Sequence, residues 1–465
     1  MAMANSVTTI REMSEYFVEP PDGRLVDTLV SRGLTAQREI ETWSETRIDA
    51  LLRGLANAVA DRAEPLAAAA VAETGMGNVR DKTVKNSIAS VGIYTELAGQ
   101  IGYGEVCRDD ERQVAEIASP VGLVVGLLPA AHPVATFIFK TLIALKGRNA
   151  IILCPSARAL RVSDQVGGLI REGLRLAGAP IDLVQWLGRG TDRETVAALI
   201  GHRQVGLVVA TGSHALVQAA YRSGRPAIGV GPGNAPVLIA EDADIAHAVQ
   251  AIVHSKSFDN GLTCGTESHL VVEDRIKTRV ANALTAEGAA ILTSVEAARF
   301  RTVAVNPMSR QFVPRLIGRD AAALADLAHI ERPYPIQLLV IPTESLDQND
   351  FLAAETLAPI VTLRVVANVE DGIEMCRALL DIDGSGHTAM IYTHDAGLGR
   401  RFAAAMPATR ILINSSGTQG LLGVTTGLVP SMTLAYGTWV RSSMINRVCS
   451  SGLVNIKRVA SYTAA

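Results

Sequence analysis

Several scarcities narrow the possibilities before any motif is read. No apolar run is long enough to cross a membrane, and the opening segment MAMANSVTTIREMSEYF has no apolar stretch of the kind a secretory signal needs. A soluble, cytoplasmic protein is expected. Cysteine is sparse: Cys107, Cys154, Cys264, Cys376 and Cys449 are odd in number and far apart, with no CxxC and no Cys/His pair at zinc spacing. A disulfide framework and a structural zinc site are thereby excluded, which leaves at most one reactive thiol in a reducing compartment. Neither sign of charge dominates, since 43 basic against 46 acidic residues leave a net charge of −3. That is too balanced to recruit nucleic acid or an anionic membrane by electrostatics, so a neutral or small partner is expected. There is no internal repeat, no low-complexity tract and no GxGxxG near a first strand, so the usual dinucleotide fingerprint is missing.

The 465 residues suffice for roughly two or three domains, and 48% apolar content fits a globular chain. Residues 1–20 stand apart. Val7, Ile10, Met13 and Phe17 recur at helical spacing before Pro20 and Pro21 stop the helix, which reads as an appended amphipathic segment. From Arg24 to Ala63 the pattern is helical, with Ile48, Leu51, Leu52, Leu55 and Val59 forming one apolar packing stripe. Between Val121 and Val230, short apolar runs at 121–128, 150–154, 182–187, 204–210 and 227–230 alternate with amphipathic stretches of helical length. Apolar runs without a period of two read as buried parallel strands joined by crossover helices. A second series follows 231-GPGNAP-236, with strands expected at 268–273, 337–341, 360–366, 388–393 and 410–414. The fold class is α/β, with two doubly wound units. The polar stretch 107–118 predicts a projecting strand pair, and the tail from Leu434 to Ala465 has no helical period.

Three segments carry candidate chemistry. In 255-SKSFDNGLTCGTESHLVVE-273, Cys264 occupies a polar, glycine-flanked loop directly before a strand. Such a thiol is presented, whereas a packing cysteine such as Cys154 lies within the apolar run itself. From local sequence Cys264 is either a nucleophile or an inert loop cysteine. The glycines of 226-PAIGVGPGNAP-236 allow close approach of a ligand or of a neighbouring loop. In 208-VVATGSHALVQAAY-221 a buried strand, a Thr211-Gly212-Ser213 turn and a helix aim backbone N–H groups at whatever sits at the helix start, such as a phosphate or a nicotinamide.

Taken in order, the segments 119–152, 208-VVATGS-213, 226-PAIGVGPGNAPVLI-239, 255-SKSFDNGLTC-264, 355-ETLAPI-360 and 386-GHTAMIYT-393 resemble the CoA-acylating branch of the aldehyde dehydrogenase family. The nearest likeness is to the aldehyde dehydrogenase half of bifunctional aldehyde-alcohol dehydrogenases. The resemblance implies an NAD-binding domain from residues 21–104 and 121–231 and a catalytic domain at 232–420. It also implies an oligomerisation element from 105–120 and 421–465, beside the N-terminal extension 1–20. In the implied reaction the Cys264 thiolate attacks an aldehyde, hydride passes to NAD, and a second nucleophile resolves the thioester. Hydrolytic members of the family use water activated by a glutamate. Here that place falls on Val230, so coenzyme A is the expected acceptor.

The same resemblance puts cofactor contacts at Pro129, Ser156, Thr211, Gly212, Ser213, Gly229 and Glu355, with Glu355 holding the nicotinamide ribose four residues before Pro359. It places His387 near the catalytic centre, as an acid/base or as a CoA contact. NAD is the expected cofactor, and NADP is the alternative because Arg158 would tolerate a 2′-phosphate. A homodimer or homotetramer is implied. Some resembling enzymes work inside protein-shelled microcompartments, for which residues 1–20 would serve as a docking helix to the shell.

Two departures stand out. Where the resembling enzymes carry Asn before proline, the amide helps form an oxyanion hole, but this chain has His132-Pro133. An imidazole N–H would keep that role, unless His132 is structural and the backbone donor works alone. In the tail, a glycine-rich stretch of the resembling enzymes reads 438-TWVRSS-443 here. Arg441 adds a fork of donors suited to an anionic aldehyde such as sulfoacetaldehyde, the other reading being a surface or interface arginine. The expected function is an acylating aldehyde dehydrogenase using NAD and coenzyme A, with no metal. The alternatives are an enzyme specific for an anionic aldehyde, a hydrolytic aldehyde dehydrogenase and a non-catalytic homologue.

Overall fold

A computed structural model describes residues 23–348, 350–434, 437–440 and 448–462. The amphipathic segment 1–20 and Arg441 lie outside these residues. The chain opens with helices Gly23–Ile40 and Glu45–Ala60, the second begun by Ser44, whose hydroxyl accepts from Arg47 N–H. The expected stripe Ile48, Leu51, Leu52, Leu55 and Val59 is buried. Helices Ala63–Thr74 and Val79–Ser87 follow, and a π-turn at Ile88–Gly92 leads on to Ile93–Leu97.

Strands β1 (Gly104–Asp109) and β2 (Val114–Pro120) form the antiparallel pair expected from the polar stretch at 107–118. A parallel sheet then comprises β3 (Leu123–Leu127), β4 (Ala150–Cys154), β5 (Val184–Trp186), β6 (Leu207–Thr211) and β7 (Ala227–Val230), in the order β5-β4-β3-β6-β7. Every residue of β3, β4, β6 and β7 is buried, because helices cover both faces. Helix Pro133–Lys146 is buried along its whole length. The run expected at 182–187 begins with a short 3₁₀ turn, Ile181–Leu183, before β5. The run expected at 204–210 becomes a strand only from Leu207, since Val205 N–H closes a turn on His202 O.

The second sheet has seven parallel strands: β8 (Ala235–Ile239), β9 (Glu267–Glu273), β10 (Ala289–Ile291), β11 (Leu338–Pro342), β12 (Ile360–Val366), β13 (Thr388–Tyr392) and β14 (Arg410–Ile413). Their order is β10-β11-β12-β9-β8-β13-β14. Five of these strands were expected; β8 and β10 were not. The tail supplies one more strand, β15 (Val454–Ala460), which pairs antiparallel with β2 from Val454 opposite Pro120 to Ala460 opposite Val114. Among the described residues no helix is long and apolar enough to cross a membrane.

In the first sheet the connections from β3 run through β4 to β5 on one side, while β6 and β7 lie on the other, so the order reverses between β3 and β6. The carboxyl ends of strands at such a reversal form a natural ligand crevice. In the second sheet, by contrast, the loops that enter β8, β9, β12 and β13 converge at the amino ends of those strands. His214, just past β6, meets Asp383, just before β13, at 3.0 Å, so the two sets of loops face each other.

Candidate active site

The loop that enters β9 is shaped by backbone conformation. After helix Ile245–Ser257, three successive residues are left-handed, Asp259 at φ 47°, Asn260 at 56° and Gly261 at 70°. Two non-glycine residues in that region are strained, and side-chain contacts hold them there. Asp259 N–H donates to Asp81 Oδ2 at 2.7 Å, and the Asn260 amide donates to Gly318 O at 2.8 Å. The chain then turns back and delivers Cys264, half-buried, to the start of β9.

Gly233 supports this loop from behind. A Cβ there would lie 1.6 Å from Cys264 O and 3.3 Å from Glu355 Oε1. The Gly233→Ala variant must therefore push the Cys264 loop away, and misplacement of a reacting group by about 1 Å costs on the order of 100-fold in rate. We expect Gly233→Ala to lose about that much kcat while circular dichroism stays near wild type. Wild-type kcat in the variant would show that the loop adapts without cost.

Cys264 Sγ lies 3.2 Å from His387 Nε2, and His387 Nδ1 lies 2.9 Å from Thr388 Oγ1. Burial, aided by the negative charge of Glu355, pushes the Cys264 thiol up to about 12. Burial and the nearby Arg410 cation hold His387 down at about 3. The resting pair is thus a neutral thiol against a neutral imidazole, with Nε2 facing the sulfur.

Glu355 Oε1 accepts from Gly233 N–H at 3.0 Å, and burial pushes its carboxyl upwards. Lys256 is fully buried between Glu355 and Glu267 and is pushed down by that burial; its Nζ has no hydrogen-bond partner among the described residues. Glu267 is itself held by Gly417 N–H at 2.7 Å and by the Thr266 hydroxyl at 2.8 Å.

Glu355 lies before β12 of the second sheet, whereas the other predicted cofactor residues lie on the first sheet, most of them at its carboxyl side. Pro129 follows β3, Ser156 follows β4, and Thr211, Gly212 and Ser213 close β6 and open helix His214–Arg222, whose Leu216 N–H donates to Ser213 Oγ at 3.4 Å. Among the described residues the buried Thr211 hydroxyl has no partner, which fits a site made to be completed by a ligand. Gly229 is placed differently. It is buried within β7, its N–H bonds Tyr221 OH at 3.0 Å, and a Cβ would meet Val217 at 2.4 Å. Its lack of a side chain is accounted for by that helix. Val230 is buried in β7 and offers no base.

His132 occupies the N-cap position of helix Pro133–Lys146 without a side-chain capping bond and touches Lys85, with Nζ to Nδ1 at 2.9 Å. Lys85 and Lys82 share the fully buried Asp259 carboxylate. Sequence reasoning missed Lys82, Lys85, Lys256 and Asp259. It also missed Asn234, whose amide donates to Ala353 O, Leu379 O and Asp383 O at 3.0–3.2 Å while its Oδ1 meets His269 Nε2 at 2.8 Å. Asn234 thereby ties together the segments that carry Gly233, Glu355 and Asp383. Among the described residues no cluster of three His, Cys, Asp or Glu is arranged to hold a metal ion.

The model of the aldehyde dehydrogenase family matches residues 18–431. The bifunctional aldehyde-alcohol dehydrogenase of Escherichia coli is 36% identical over 440 residues, covering 94% of this chain and 49% of that protein. The chain thus spans about half the length of that relative. The acylating sulfoacetaldehyde dehydrogenase of Cupriavidus necator is 32% identical over 440 residues, with 94% and 88% covered. The crystal structure of an acetylating aldehyde dehydrogenase from Geobacillus thermoglucosidasius superposes with a TM-score of 0.91 at 35% identity, covering 98% of both chains. Carrying its thiol on the loop into β9 and matched along most of its length, this chain belongs to the aldehyde dehydrogenase family.

Proposed function

We propose that the chain oxidises an aldehyde with NAD and coenzyme A to an acyl-CoA, through a thioester on Cys264. The observation that carries this reading is the 3.2 Å contact between Cys264 Sγ and His387 Nε2; the sequence resemblance puts the buried, apolar Val230 where hydrolytic members of the family carry a water-activating glutamate. Nε2 can accept a proton only if the neutral ring carries its own on Nδ1, which then donates to Thr388 Oγ1. Cys264 sulfur attacks the carbonyl carbon as His387 takes the thiol proton, and the developing alkoxide is stabilised by the backbone N–H of the loop and by His132. When bound, NAD supplies the hydride acceptor. Its holders are the Thr211 hydroxyl, the Gly212–Ser213 turn and Glu355, fixed by Gly233 N–H. Once His387 has released that first proton to solvent, the coenzyme A thiol gives its proton to Nε2, its sulfur attacks the acyl carbon, and the Cys264 sulfur leaves and takes that proton back from His387. The strand β15 is open to solvent on both faces, with Ile456 on one and Val459 on the other, and is read as the element through which copies of the chain assemble.

A panel of acetaldehyde, propionaldehyde, succinate semialdehyde and sulfoacetaldehyde, each with NAD or NADP and with or without coenzyme A, tests the reading. Sustained NADH formation is expected only with coenzyme A, preceded without it by a burst stoichiometric with subunits. Steady turnover in the absence of coenzyme A would identify a hydrolytic enzyme, and the lack of any burst a non-catalytic homologue. A preference for the anionic aldehydes that Arg441→Gly removes, with neutral aldehydes unaffected, would assign Arg441 to the substrate.

A further inference from the structure

An imidazole offers an N–H only at the nitrogen that carries its proton, so a histidine that serves as a fixed donor must have its tautomer set from outside. Lys85 Nζ stands 2.9 Å from His132 Nδ1. An ammonium group has donors and no acceptor, so Nδ1 is the acceptor and the proton of the neutral ring sits on Nε2. Burial and the ammonium groups of Lys85 and Lys82 hold the ring well below its ordinary range, which keeps it neutral with a single N–H. The ring also stands against the backbone of Leu262, two residues before Cys264.

Lys85 is itself fixed. Lys82 and Lys85 project from one face of helix Val79–Ser87 onto Asp259, whose other oxygen accepts from Asn78 N–H at 3.0 Å. Lys82 reaches on to Ala131 O, beside His132, at 2.9 Å. Asp259 belongs to the left-handed turn that delivers Cys264. One carboxylate thus anchors both the nucleophile's loop and the lysine that touches the histidine.

We propose that the Asp259–Lys85 pair is a positioning device for His132. It holds Nδ1 as the acceptor, so that the ring's N–H, on Nε2, is presented to the Leu262–Cys264 loop and to the alkoxide formed there. The inference rests on the thioester reading of Cys264, but its first test does not require turnover. Isotopic labelling of the histidine nitrogens in the wild-type enzyme, with His132→Asn to assign the signal by difference, reads the tautomer by nuclear magnetic resonance. A neutral ring protonated at Nε2 is expected; a ring protonated at Nδ1, or at both nitrogens, overturns the proposal.

The second test is kinetic. Lys85→Met should lower kcat by about tenfold or more with KM changed by less than about threefold, approaching the roughly 100-fold or greater loss that follows removal of an oxyanion donor in His132→Ala. In a His132→Asn background, where an amide donates without any choice of tautomer, the same Lys85→Met change should cost less than about threefold. Equal losses in both backgrounds would make Lys85 a support of the loop alone and overturn the proposal. If Lys85→Met does not fold, the wild-type tautomer decides by itself. A wild-type enzyme with the Nε2–H tautomer but no CoA-dependent NADH formation would sink the functional reading and leave the positioning intact.

Discussion

Cys264→Ala loses aldehyde-dependent NADH formation by about 10⁴-fold or more, with and without coenzyme A, because hydride transfer and acyl transfer both wait for sulfur to bond the substrate carbon. NAD binding, measured by quenching of tryptophan fluorescence, persists, since the Thr211–Ser213 turn proposed to hold it lies on the other sheet. Three of the other cysteines are placed unlike it. Cys154 lies within β4 and Cys376 in helix Val369–Ile382, both buried with their thiols pushed up by that burial, and Cys107 is exposed on β1. A Cys264→Ala enzyme that still turns over, coupled with an essential Cys107 or Cys449, would relocate the nucleophile.

The second large effect is on stability. Asp259→Ala leaves two nearly buried ammonium groups, Lys82 and Lys85, without the carboxylate they share. Breaking a buried ion pair by removing one partner typically costs about 3–5 kcal/mol, because the remaining charge stays desolvated. Lys82, which burial has already brought down to about 8, then discharges more readily. A fall of about that size in the free energy of unfolding is expected from urea titration, with kcat reduced as well through the loosened Cys264 loop. A variant within about 1 kcal/mol of wild type would mean that the lysines find other acceptors.

The pattern of burial explains which parts of the fold were legible. Strands covered on both faces leave uninterrupted apolar runs, and β3, β4, β7 and β12 stand where such runs were read. The strand β8 begins one residue after the left-handed Asn234, inside a glycine- and proline-rich stretch that locally reads as a break. In β10 there are only three residues, too few for any period. The strand β15 is exposed along almost its whole length, so it has no apolar face to announce it.

The site divides in the same way. The glycine-flanked loop made Cys264 visible, and ordered motifs made His387 and Glu355 visible. Lys85 and Asp259, however, meet across 174 positions of sequence, and neither sits in a local pattern that marks it. Lys256 lies near the end of an ordinary helix, and only the packing around it shows that its charge is enclosed between two carboxylates.

The pairing of β2 with β15 also sets a timetable for the growing chain. Ser119 and the Asn455 carbonyl it contacts are 336 positions apart, and ribosomes add roughly 5–20 residues per second. The outer edge of β2 therefore stays open for roughly 20 to 70 seconds after it is made. Throughout that interval its unpaired backbone groups offer a template to any other extended segment, including the same edge on a neighbouring nascent chain. Soluble yield should consequently depend on translation speed and on what shields that edge, even when the finished enzyme is entirely stable.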